Sequence, residues 1–170
     1  VAERAAGFRM KVLYYARRPL EAQPHDQAWE GRTLPGLLGD SDFVTIHVPL
    51  TTETRHLIGV HQLRQMRRTA ILINTSRGAV LDEKALAKAL KEGRIKGAGL
   101  DVFEREFPNP DPGPFSGLLD LPNLVVTPHI GSAARETREA MALRTVENLE
   151  AMIQGKRPPD LLNPEVFGEP

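Results

Sequence analysis

The sequence contains no cysteine, so disulfides, thiolate nucleophiles and cysteine-ligated zinc are excluded as working parts. It carries no charge excess: 22 Lys and Arg are matched by 22 Asp and Glu. A balanced chain has no net field to draw nucleic acid or an anionic membrane surface, and neither is expected as a partner. No apolar run approaches the roughly 18 residues that a membrane-spanning helix needs. No internal repeat is visible. The lack of cysteine fits a cytoplasmic protein. What is present is the ordinary mixture of a globular domain, 41% hydrophobic over 170 residues. That length suffices for one domain with a buried core.

Five short apolar segments stand out, at 10–15, 43–48, 70–75, 97–102 and 124–128. None shows a clean in/out alternation, the pattern of parallel strands covered on both faces. Helical stretches lie between them. Residues 82–94 open with acids in the first turn and end near Gly93, in agreement with the helix dipole. Residues 133–154 place Ala140, Leu143, Val146, Leu149 and Ile153 on one stripe. Residues 1–8 read as the second half of a helix capped by Gly7, and an element is expected to precede them. Strands alternating with helices of this length predict an α/β fold with a parallel sheet. Residues 107–122 are expected to form a proline-rich loop, and 155–170 a non-helical tail.

In such sheets ligands bind beyond the carboxyl ends of the strands. The residues falling there are Arg17 and Arg18, then His47, Val48 and Pro49, then Thr75, Ser76 and Arg77, then Asp101 and Glu106, and finally His129. Each has an ordinary alternative. Arg77 can be half of a surface ion pair, His129 a satisfied structural histidine, Glu106 a solvated loop acid and Asp101 a cap. Together they form a chemical set. A histidine donates or accepts a proton near neutral pH, a carboxylate orients its ring, and a guanidinium grips a substrate carboxylate through two parallel hydrogen bonds. With a hydride carrier, these are the parts needed to interconvert a 2-oxo and a 2-hydroxy acid.

Three segments make the pattern specific: "HVPLTTETRHLI", "ILINTSRGAVLDEKALAKALKEGRIKGAGLDVFERE" and "LPNLVVTPHIGSA". They resemble the signature segments of the D-isomer-specific 2-hydroxyacid dehydrogenase family, most closely its glyoxylate/hydroxypyruvate reductase branch. The resemblance implies a Rossmann-like, doubly wound parallel sheet, incomplete at its N-terminus. Residues 1–154 would form most of the nucleotide-binding domain, and 155–170 a tail returning to a substrate-binding domain that these residues do not include.

By the same resemblance, Arg77 would hold the substrate carboxylate and help polarise the carbonyl. His129 would protonate the C2 oxygen while the cofactor supplies the hydride, and Glu106 would keep the histidine ring protonated. Val48, Pro49 and Thr54 would lie along the adenosine side of the cofactor. Thr75, Ser76, Arg77 and Asp101 would lie near its nicotinamide end, with His129, Gly131 and Ser132 completing the wall. Pro49 and Gly131 also have an ordinary reading as loop residues. No metal is implied. The partners implied are a small 2-oxo or 2-hydroxy acid and a second copy of the chain in a homodimer.

Two departures from the family pattern matter. The Gly-rich phosphate loop, G-x-G-x-x-G, does not occur in these residues. The turn after 10–15 has no acid for a ribose 2′-hydroxyl, and Arg17 and Arg18 stand there instead, which favours NADP(H) over NAD(H). The expected function is reduction of glyoxylate or hydroxypyruvate, as part of a longer protein. The alternatives are 3-phosphoglycerate or another 2-hydroxy acid as substrate, and a non-enzymatic, NAD(H)-sensing corepressor-like protein.

Overall fold

The computed structural model describes residues 1–17, 29–106 and 116–167. Arg18 and most of the proline-rich loop lie outside the described residues. The chain divides into two compact units, Val1–His129 and Ile130–Pro170.

The first unit begins with α1 (Ala2–Ala6), β1 (Leu13–Tyr14), β2 (Glu30–Gly31) and α2 (Leu34–Asp40). It continues through β3 (Phe43–Ile46), α3 (Val60–Gln65), β4 (Ile71–Asn74) and α4 (Glu83–Lys91). β5 (Gly97–Leu100), α5 (Ser116–Leu119) and β6 (Leu124–Val126) complete it. β1 and β2 pair in parallel as a two-stranded ribbon. The main sheet is fully parallel in the order β3-β4-β5-β6, with Val44 opposite Leu72, Leu72 opposite Ala98 and Ala98 opposite Leu124. This is the Rossmann-like α/β arrangement. Because every strand points the same way, the segments after β3, β4, β5 and β6 all emerge at one edge.

One core holds the unit together. Val44, Ile46, Leu72, Ala98 and Leu100 from the strands pack with Leu38 of α2, Leu63 of α3, Leu86 and Leu90 of α4 and Leu118 of α5. Leu38, Leu72, Leu86 and Leu118 are wholly buried. Truncating any of them to alanine would cost about 2–5 kcal/mol. α4 shows why the sequence folds this way. Asp82 caps it by accepting from the Ala85 N–H at 3.0 Å. Ala85, Leu86, Ala89 and Leu90 supply its buried stripe. At its end Gly93 adopts φ +60°, while the Arg94 and Gly93 N–H groups donate to the carbonyls of Ala89 and Leu90. That is the double closure which stops a helix at glycine.

Several expectations need correction. β3 alternates after all, with Val44 and Ile46 buried and Phe43 and Thr45 exposed. Val125 and Val126 of β6 are exposed as well. The buried Val44, Leu72 and Ala98 lie side by side on one face of the sheet, which also carries the buried Ile46, Asn74 and Leu100. Gly7 caps α1 in right-handed geometry, and the left-handed residue is Arg9. The apolar run 10–15 pairs only at Leu13–Tyr14, because its partner offers two residues. The stretch expected to be all loop contains α5, whose Leu118 reaches the core. The tail contains a 3₁₀ turn at Pro164–Phe167.

The second unit consists of α6 (Arg135–Ile153) and the segment after it. None of the residues of α6 is buried, and Met141, Leu143, Val146, Leu149, Met152 and Ile153 are exposed. Polar bonds shape the unit. Arg144 donates twice to Asp160, at 2.6 and 2.9 Å, and Asn148 exchanges hydrogen bonds with the same residue.

Candidate active site

β4 ends on Asn74, wholly buried at the inner face of the sheet. A buried amide must be hydrogen-bonded, and this one organises the loop that follows. Its Nδ2 donates to the Arg77 carbonyl and its Oδ1 accepts from the Ser76 N–H, both at 3.1 Å. The Ser76 hydroxyl donates to the Val48 carbonyl at 2.7 Å, tying the β4 loop to the β3 loop. Asn74 is not among the residues expected at the site. Its signal was a polar residue at an inward position of an otherwise apolar run.

The Arg77 side chain is exposed, and its Nη1 donates to the Ser76 carbonyl at 2.7 Å. Gly78 then permits a close crossing. A Cβ there would lie 1.8 Å from the carbonyl carbon of Phe103. The residue after Arg77 therefore rests against the turn that follows β5.

His47, Val48, Pro49, Leu50, Thr75, Ser76 and Arg77 line a cleft of about 600 Å³ at the carboxyl ends of β3 and β4. His47 bonds Thr45 Oγ1 at 2.9 Å, and partial burial holds its pKa below the usual histidine value. Thr54 does not line this cleft. It is only 8% exposed, and its hydroxyl donates to the Pro49 carbonyl and accepts from the Thr51 N–H, each at 2.7 Å. Thr54 thus shapes the Pro49 turn.

The acid–base pair stands beyond β5 and β6. His129 Nδ1 lies 2.7 Å from Glu106 Oε2. A carboxylate only accepts, so Nδ1 carries the proton and Nε2 is the nitrogen left for chemistry. The other carboxylate oxygen, Oε1, accepts from the Phe103 N–H at 2.6 Å. Glu106 is thereby held at both oxygens. Its side chain is 26% exposed and that of His129 50%, so the pair borders solvent. His129 sits in the left-handed region at φ 52°. A non-glycine residue there stores strain of about 1–3 kcal/mol. Just before it, the Thr127 hydroxyl donates to Asp101 Oδ1 at 2.5 Å, linking the ends of β5 and β6.

The structure therefore gathers Val48, Pro49, Thr75, Ser76 and Arg77 in one cleft, and Glu106 with His129 in one hydrogen-bonded pair. Asp101 is engaged with Thr127. Arg17 is exposed beyond β1. Arg18 lies outside the described residues. Gly131 and Ser132 belong to the second unit, in a turn closed by the Ala133 N–H on the Ile130 carbonyl at 2.9 Å. Among the described residues no His, Asp and Glu cluster is arranged to hold a metal ion. None of the described helices is long and apolar enough to cross a membrane.

Residues 1–131 match the family model described as the NAD-binding domain of D-isomer-specific 2-hydroxyacid dehydrogenases. A glyoxylate reductase of Korarchaeum cryptofilum is 55% identical over 167 residues, covering 98% of this chain and 49% of that protein. Among solved structures, an NADPH-dependent glyoxylate/hydroxypyruvate reductase of Sinorhizobium meliloti, in complex with NADP and malonate, matches with a TM-score of 0.78 at 35% identity. That match covers 89% of this chain and 45% of the other. D-lactate dehydrogenase of Lactobacillus jensenii, solved with NAD+, matches with a TM-score of 0.80 at 29% identity, over 93% of this chain and 50% of that one. The chain spans about half the length of the curated relatives it matches.

Proposed function

Because the chain belongs to the D-isomer-specific 2-hydroxyacid dehydrogenase family, we propose that it supplies the cofactor-binding and acid–base part of a reductase for glyoxylate or hydroxypyruvate. The observation that carries this reading is the His129–Glu106 hydrogen bond at 2.7 Å, on the same sheet edge as Arg77.

The residues present fit a nicotinamide dinucleotide. The cleft lies at the carboxyl edge of a parallel sheet, where such ligands bind. Its lining alternates apolar Val48, Pro49 and Leu50 with the hydroxyls of Thr75 and Ser76, and no carboxylate stands among them to repel a phosphate. When bound, the cofactor would supply the hydride.

The chain's own residues would do the rest. Arg77 would exchange its contact with the Ser76 carbonyl for the two oxygens of the substrate carboxylate, a pairing its planar fork suits. His129 would deliver a proton from Nε2 to the C2 oxygen as charge develops there. Glu106 would hold the ring through Nδ1 and so aim Nε2. Thr54, whose hydroxyl is used by its own loop, would act on the adenosine side only through the placement of Val48 and Pro49. Gly131 and Ser132 remain proposed wall residues, and Asp101 a proposed contact near the nicotinamide end.

NADP(H) is the proposed cofactor, with NAD(H) the competing one. Residues 14–17 offer no carboxylate, and exposed Arg17, with Arg18 after it in sequence, suits a 2′-phosphate. The Sinorhizobium relative in complex with NADP supports this, and the Lactobacillus protein solved with NAD+ supports the competitor. A homodimer belongs to the same proposal, with the exposed apolar residues of α6 available to a second copy. So does a cytoplasmic location.

The test is initial-rate measurement in an enzyme carrying this chain with the substrate-binding domain that the family resemblance implies, termed here the two-domain enzyme. Glyoxylate and hydroxypyruvate are offered with NADPH and NADH in turn. Turnover favouring NADPH is expected. Turnover only on 3-phosphoglycerate, or on no 2-oxo acid, would overturn the substrate assignment.

A further inference from the structure

Glu106 is held by a turn, and the turn is itself held. The Phe103 N–H donates to Glu106 Oε1 at 2.6 Å, and the next N–H, that of Glu104, donates to Glu83 Oε1, also at 2.6 Å. Two adjacent amides are thus divided between two carboxylates. The Glu104 side chain points elsewhere. Its carboxylate accepts from Arg55 Nη1 at 2.9 Å and meets His56 Nε2 at 3.3 Å. His56 is fixed for this at φ 52°, with its N–H on the Ala79 carbonyl at 2.8 Å. Gly78 abuts the same turn from behind.

We propose that Glu83, the first residue of α4, is a positioning residue for Glu106, setting which turn amide the Glu106 carboxylate occupies and so the direction it presents to His129. This rests on the reading of His129 as the proton donor. Without Glu83 the Glu104 N–H loses its acceptor in the chain, and the Glu106 carboxylate, two residues ahead in the same turn, is positioned to take its place. Moving Oε1 from the Phe103 to the Glu104 amide would rotate Oε2 off Nδ1. Glu83 is part of α4, whose buried stripe fixes it to the core, so it holds the turn against a rigid reference.

The surroundings show the cost of this placement. Burial raises the pKa of Glu83, and the neighbouring carboxylates of Glu104 and Glu106 add to the shift. The Glu104 N–H and His56 oppose it. A surface acid serving only the helix dipole would not be placed among like charges. An acid serving an amide would.

Two variants separate the roles. Glu83→Gln keeps an oxygen for the Glu104 N–H, and Glu83→Ala does not. Amide hydrogen exchange on the chain itself is read at Phe103, Glu104, Leu86 and Leu90, and kcat and KM are read in the two-domain enzyme. In the alanine variant, exchange at Phe103 should rise by about tenfold, while Glu104, now bonded to Glu106, and the α4 amides stay protected. Its kcat should fall by about tenfold, the scale of a small misplacement of a reacting group, with KM for the cofactor unchanged. Glutamine should restore both. Unchanged exchange at Phe103, equal impairment by glutamine and alanine, or a kcat loss that tracks exposure of α4 would each overturn the proposal. A two-domain enzyme that reduces no 2-oxo acid would remove the reading of His129 as proton donor, and exchange alone would then decide whether Glu83 sets the turn.

Discussion

The two ends of the site are built to different standards. Beyond β6, His129 is fixed in strained backbone, bonded through Nδ1 to a carboxylate whose second oxygen is also engaged. Beyond β4, the backbone of Arg77 is fixed by Asn74, but its guanidinium rests on the carbonyl of its own neighbour. The difference follows from what each group would do. Proton transfer requires a donor already aimed, since misalignment costs rate directly. A guanidinium can be re-aimed by the anion it binds, because the incoming carboxylate repays the lost contact with two charge-assisted bonds. One end is preorganised by the protein, and on the proposed reading the other would be completed by the ligand.

The largest effect should come from the preorganised end. In the two-domain enzyme, His129→Ala should lower kcat by about 10²–10⁴-fold with cofactor affinity retained. Cofactor affinity falling in step with rate would make His129 a binding residue instead. At the other end, Arg77→Lys should impair KM for glyoxylate nearly as much as Arg77→Ala, because the planar two-pronged contact is lost. Near-normal KM for the lysine variant would show a simple point-charge contact. Asn74→Ala tests whether the two ends differ only in the head groups. It should destabilise the fold by about 1–3 kcal/mol in denaturant titration, because two amide partners lose their bonds. An unperturbed variant would mean that the β4 loop is held by something else.

The smallest effect concerns pH. Partial burial lowers the pKa of His47 in the cleft, so the unfolded chain takes up its proton first on acidification. The resulting stability loss is absent above the ordinary histidine value and grows as pH falls from there to the lowered folded value. His47→Gln should therefore weaken the pH dependence of stability on the acid side of neutrality. An unchanged slope would show that His47 is as hydrated in the folded chain as in the unfolded one.

Much of this was legible in the sequence for identifiable reasons. The parallel sheet could be read from apolar runs alternating with helices, and α4 from its acidic start, its periodic alanines and leucines and Gly93. Arg77, Glu106 and His129 could be placed because in a parallel sheet the ends of successive strands share an edge. What was not legible is set by contacts distant in sequence. Asn74 looks like one more strand residue until its amide is seen to bridge two loop positions. Glu83 looks like helix-dipole chemistry until the turn at Phe103 and Glu104 is folded against it. The alternation of β3 was masked because Phe43, although apolar, is exposed. Helix α6 reads as a single stripe, but its apolar residues Met141 and Met152 leave that stripe and none of its residues is buried.

The central claim is that His129 and Glu106 act as one unit. It is tested most directly by kcat for glyoxylate in His129→Ala, Glu106→Ala and the double variant of the two-domain enzyme. If the carboxylate works only through the ring, the double variant should be no slower than His129→Ala alone. Losses that multiply would show that Glu106 acts on its own, and would contradict the account.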